Sequence, residues 1–179
     1  MIRLRNSAWL AICLALAACS TQPMGRPADA PPPRGRPSGP GTAALSPADY
    51  VARAASIDLF VLRSSELALQ RSTSDGTRNF ARSMQSVHEG TSAQLAFAAR
   101  RLALPTSPVL AATEQASLYE LQQSPRFDET YAAQQKAVHR QALQLHDQFE
   151  ARGASPTLRT VARFVTSRLR DHQQMVDAL

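Results

Sequence analysis

The sequence predicts an all-α protein: a four-helix bundle with a long crossover between its second and third helices. Three observations carry the prediction. Apolar residues recur at helical spacing through four long stretches between positions 47 and 179. Proline and glycine gather between those stretches, and only Gly90 falls inside one. No run alternates apolar and polar residues as a half-buried strand would. Hydrophobic residues make up 44% of the 179, enough to fill the core of one ordinary domain.

The helical part is preceded by a leader and a spacer. Arg3 and Arg5 open the chain, an apolar run including Trp9-Leu10-Ala11-Ile12 follows, and Leu16-Ala17-Ala18-Cys19 closes it. The apolar run is too short to span a bilayer as a mature helix. Residues 1–18 resemble a bacterial lipoprotein signal peptide, in which small residues precede a cysteine that is acylated and becomes the mature N-terminus. The resemblance implies export, lipid on Cys19 and attachment to a membrane, with several acyl chains holding where one would not. Ser20 stands where an aspartate would mark retention at the inner membrane. The expected location is therefore the cell envelope, as an outer-membrane lipoprotein with its domain in the periplasm. Cys13 leaves with the leader, so residues 20–179 hold no cysteine for a disulfide, thiolate site or nucleophile.

Residues 19–46 hold seven prolines, among them Pro31-Pro32-Pro33, and four glycines. Such a segment buries too little apolar surface to fold, and reads as a disordered tether.

The bundle domain is expected over 47–179. Ser46-Pro47-Ala48-Asp49 has the capping serine, first-turn proline and early acid of a helix start. Helix one runs from there to about Ser72, with Val51, Ala54, Ala55, Ile57, Val61, Leu62 and Leu69 on its apolar face and Asp58 in the middle of that arc. A turn at 72–76 leads to helix two, about Thr77 to Leu104, with Phe80, Met84, His88, Thr91, Leu95, Ala98 and Leu102 on one stripe. Pro105 and Pro108 end it, and the crossover holds one short helix, Glu114–Gln122. Ser124-Pro125 is the expected cap of helix three, which reaches Arg152 and stops at Gly153. Ser155-Pro156 starts helix four, with Leu158, Val161, Val165, Leu169, His172, Val176 and Leu179 inward.

The +6 charge is not a nucleic-acid footprint. Five arginines and one aspartate precede position 46, so 46–179 carries 15 basic and 13 acidic residues without a basic run. No Gly-x-Ser-x-Gly elbow, phosphate loop or His-Glu-x-x-His occurs. The chain does not read as an enzyme.

One constellation stands out. At about 1.5 Å rise per residue, Asp58, His88, His139 and His172 lie roughly 16–21 Å below the end marked by Ser72, and share one layer. His146 lies about 10 Å deeper, as a separate site. Three imidazoles and a carboxylate suit Zn, Fe or Cu. The same four side chains also suit a purely structural network, because buried His and Asp must be hydrogen-bonded and can satisfy each other. A diiron site needs two Glu-x-x-His pairs, whereas Gln85, Lys136 and Leu169 stand three residues before these histidines. That argues against ferroxidase chemistry.

Phe80-Ala81-Arg82-Ser83-Met84 through His88, Phe127-Asp128-x-x-Tyr131 through Val138-His139, and Leu169-Arg170-Asp171-His172 together resemble a bacterial family, domain of unknown function 4142. The resemblance spans about 47–179 and implies a ferritin-like fold in an outer-membrane or periplasmic protein. The three histidines fall where that family places its own. Val87 replaces a usual aspartate, Val61 and Arg63 stand where a glutamate is frequent, and Thr166-Ser167 replaces a Leu-Pro.

Two functions follow as expectations. The first is a lipid-anchored, non-catalytic binding or interaction module, attached to the membrane through Cys19 and recognising an envelope protein or glycan. The alternative is a metal-binding ferritin-like protein using Asp58, His88, His139 and His172.

Overall fold

The computed structural model describes residues 44–179. The expected signal peptide, Cys19 and the tether up to residue 43 lie outside the described residues. Five helices and no strand are present among them: α1 (Pro47–Arg71), α2 (Asp75–Arg101), α3 (Ala112–Gln123), α4 (Phe127–Arg152) and α5 (Pro156–Asp177). No described helix is long and apolar enough to cross a membrane.

Local chemistry sets the boundaries. Ser46 caps α1 by accepting the Asp49 N–H at 3.1 Å, with Pro47 in the first turn where its missing N–H costs nothing. Ser74 caps α2 and Ser155 caps α5 in the same way, each accepting an N–H three residues on at 3.3 Å. The crossover helix α3 is longer than the expected Glu114–Gln122 at both ends, and three boundaries of the long helices differ from the sequence expectation. α2 begins at Asp75, because Ser74 and not Gly76 ends the turn. It ends at Arg101, because Ala103 takes a left-handed φ of 54°. The N–H groups of Ala103 and Leu104 then close back on the carbonyls of Arg100 and Ala99 at 3.1 and 3.0 Å. α4 begins at Phe127 with Arg126 as its cap residue and no side-chain cap. Ser124 instead accepts the Arg126 N–H and pairs with Thr130 Oγ1 at 2.7 Å, fixing the approach to the helix.

The four long helices pack in pairs, α1 on α2 and α4 on α5, each pair joined by a three-residue turn. α1 also packs on α4 and α2 on α5, while α3 lies against α1 and α4. Two buried hydrogen bonds give the direction of α4. Ser65, near the end of α1, meets Tyr131, near the start of α4, at 3.1 Å. Tyr50, at the start of α1, meets His146, late in α4, at 2.9 Å. The two helices are therefore antiparallel, and the segment 102–126 carries the chain the length of the molecule. Arg71 fastens the end of that crossover. Its guanidinium donates to the carbonyls of Leu121, Gln122 and Ser124 and covers the Phe127 ring at 4.7 Å, where a cation also meets the negative end of α3.

The core is filled by Tyr50, Phe60, Val61, Met84, Tyr131, Phe149, Leu158 and Leu169, among others. Tyr50 and Phe60 are absent from the face expected for helix one, and Leu102, expected inward, is 38% exposed because the helix has already ended. At the far end of α4, Phe149 stacks on Tyr50 with centroids 3.9 Å apart. Gly153 leaves room for that ring: a Cβ there would stand 2.6 Å from both the ring and the carbonyl of Phe149.

Replacing Gly153 by Ala is accordingly expected to lower stability by about 1–3 kcal/mol, the usual scale for forcing volume into a packed site. A drop in urea midpoint with a weakened near-ultraviolet tyrosine signal is the expected reading. An unchanged midpoint would show that Phe149 has room to move.

Candidate metal centre

Each of four helices delivers one polar side chain to the middle of the core. Asp58 comes from α1, His88 from α2, His139 from α4 and His172 from α5, and all are buried. They sit where their helices place apolar residues on either side, so the helical period that builds the core also turns them inward.

Asp58 acts as a receiver of hydrogen bonds. One oxygen accepts from His88 Nδ1 at 2.7 Å, and the other accepts from Ser92 Oγ at 2.9 Å and Thr91 Oγ1 at 3.3 Å. A carboxylate offers no proton, so His88 must carry its own on Nδ1. His139 is fixed likewise: its Nδ1 lies 2.9 Å from the Gln135 carbonyl, which can only accept. In its neutral form each ring then presents a lone pair on Nε2. These two Nε2 atoms, and Nδ1 of His172, are buried without a hydrogen-bond partner.

The three rings face one another. Ring centroids of His88 lie 5.7 Å from His139 and 6.4 Å from His172. One ring nitrogen from each of the three lies within 4.8 Å of the others. Two acceptors with fixed tautomers cannot satisfy each other, and leaving them buried and unpaired is costly. A cation resolves the conflict. With metal–nitrogen distances of about 2.1 Å, a tetrahedral site needs nitrogens roughly 3.4 Å apart, a spacing inside the 4.8 Å over which the three nitrogens lie. The donor set fits an imidazole-seeking ion, held by His88, His139 and His172 and oriented from behind by Asp58 and the Gln135 carbonyl.

Electrostatics favours the neutral form of His139 and of His172. Burial pushes the pKa of His139 down to about 4, with His88 adding to the effect and the Gln135 hydrogen bond opposing it. Burial, and then His88, also lowers His172. Neutral imidazole is the form that binds metal.

His146 is held apart from this cluster. Its Nδ1 pairs with Tyr50 Oη at 2.9 Å, and the Tyr50 ring meets it edge-on. Burial lowers its pKa to about 4 as well, against a weaker pull from Asp58. Burial and Asp58 together raise Tyr50.

The sequence expectation put Asp58 in the ligand set with the histidines. The structure places it one bond back, with both oxygens occupied by His88, Thr91 and Ser92. Sequence reasoning also missed Ser92, Gln135 and Tyr50 as partners. The first two were marked by position, since Ser92 is one turn after His88 and Gln135 one turn before His139. Nothing local marks Tyr50, which depends on how α1 and α4 align.

Fold and site define an all-helical protein with a buried three-histidine cluster. The model of the family described as Domain of unknown function (DUF4142) matches residues 33–179, and the chain belongs to that family. No curated protein and no solved structure matches the chain.

The depressed histidines fix the sign of a pH dependence in the metal-free protein. An unfolded imidazole takes up its proton near pH 6.5, whereas His139 and His146 do so only at about 4 when folded. The unfolded chain therefore binds more protons between those values, and stability falls as pH drops from about 6.5 to 4 and then levels. Urea midpoints measured across this range should show the slope, and His146→Gln should make it shallower. An unaltered slope in that variant would remove His146 from the account.

Proposed function

We propose that this is a lipid-anchored protein of the cell envelope whose ferritin-like four-helix bundle binds one divalent transition-metal ion. The ligands are His88, His139 and His172, and Asp58 positions His88. The observation that carries the reading is the convergence of three buried ring nitrogens within 4.8 Å. Two of them are held as lone-pair donors by acceptors behind their rings. Zinc or copper suits three imidazoles best. Iron sites usually add a carboxylate to the ligand set, and here the nearest carboxylate is already committed.

The antiparallel course of α1 and α4, with a crossover between the two hairpins, supports the ferritin-like relation. Diiron chemistry is not part of the proposal, because Gln85, Lys136 and Leu169 stand where its glutamates would be. The envelope location rests on the leader, the small residues before Cys19 and the proline-rich tether. A metal-free scaffold for an envelope protein or glycan has no comparable constellation behind it.

Elemental analysis of the protein purified without chelator should find one ion per chain. His139→Ala should lose it while keeping its helical circular dichroism. Asp58→Ala should keep all three ligands yet bind about 10- to 100-fold more weakly, as loss of a residue behind a ligand usually does. A folded wild-type protein that neither carries nor takes up zinc or copper would reject the reading.

The anchor is tested separately. Labelled palmitate should enter the wild-type protein in cells and not Cys19→Ala; equal labelling of both would remove the lipoprotein assignment.

A further inference from the structure

A pocket of about 260 Å³ lies between α2 and α5 and reaches the histidine cluster. Ser86, Gly90 and Thr91 wall it on one side, and Phe164, Arg168 and His172 on the other. His172 is thus both a member of the cluster and part of the pocket wall. His139 and His88 are not in that wall, although Val87 and Thr91 flank His88 there. The pocket approaches the cluster from one direction.

Gly90 keeps that approach wide. A glycine inside a helix is destabilising relative to alanine. No close backbone contact explains it here, because a Cβ at Gly90 would meet nothing within 4 Å. What the missing side chain provides is open space at the pocket.

The charge balance says what can enter. Three neutral imidazoles fill three of four tetrahedral positions and leave a dication's charge uncompensated by direct ligands. Asp58 contributes its charge only through His88. The α2 wall carries no charged side chain, and on α5 Arg168 and Asp171 pair with each other at 3.7 Å. A small monoanion would both complete the coordination and, with the Asp58 carboxylate behind His88, balance the charge of the dication.

We propose that this pocket is the port by which a small exogenous anion reaches an exchangeable fourth position on a metal held by His88, His139 and His172. The inference rests on the metal-binding reading above, and the experiment separates the two. The full chain is loaded with Co²⁺, whose visible bands report four-coordinate geometry, and then titrated with azide. Saturable displacement of those bands is expected. Gly90→Phe and, separately, Ser86→Phe should keep cobalt stoichiometry and slow azide association by roughly tenfold, since a filled passage must open by fluctuation before the anion passes. Cobalt bands indifferent to azide overturn the open position. Equal association rates in the wild type and both variants overturn the port. Failure to take up cobalt at all sinks the metal-binding reading, and the port with it.

Discussion

Four imidazoles and a carboxylate are buried in one small helical core, and each must find a partner there or destabilise the fold. The hydrogen bond from His88 to Asp58 answers the largest part of that demand. It gives the buried carboxylate its shortest partner, 2.7 Å away, and leaves Ser92 and Thr91 to fill its other oxygen. It also decides which nitrogen of His88 carries the proton, and so which one faces His139 and His172. Replacing the carboxylate by an apolar group would free the ring to turn, and the geometry of the cluster would no longer be specified.

A second set of contacts holds the depth of that cluster. Tyr50, His146, Phe149 and Gly153 form one chain of dependence: the glycine makes room for the Phe149 ring, the ring stacks on Tyr50, and Tyr50 bonds His146. At the other end, Tyr131 bonds Ser65 while Gln135 bonds Ser64. α1 and α4 are thus pinned at two heights by directional contacts rather than by apolar packing alone. A slip of α4 by one turn would break both pins and carry His139 roughly 5 Å out of line with His88.

Much of this was legible in the chain. Apolar periodicity marked all four long helices, serine caps marked the starts of α1 and α5, and rise per residue put the histidines at similar depth. The rest depended on tertiary facts. Asp58 looks like a ligand in sequence because an inward carboxylate beside three histidines has the right chemistry. Whether it faces the centre of the three rings or the back of one is decided by the rotation of α1 about its own axis, which periodicity does not resolve that finely. The left-handed Ala103 hid the end of α2, since alanine is a strong helix former and gives no warning of such a turn. Ser124-Pro125 resembles a cap by composition, yet the capping residue is Arg126, because the serine is engaged by Thr130.

The clustered side chains are divided evenly between two hairpins. Asp58 and His88 belong to α1–α2, while His139 and His172 belong to α4–α5. Neither half holds enough of the centre to grip an ion tightly alone, and the chain itself joins the halves only by the long crossover. An ion bound there would be a reversible cross-link between parts distant along the chain, and its binding would favour the docked halves. In that respect an ion held there would do for residues 20–179, which contain no cysteine, what a disulfide does elsewhere: join segments far apart along the chain.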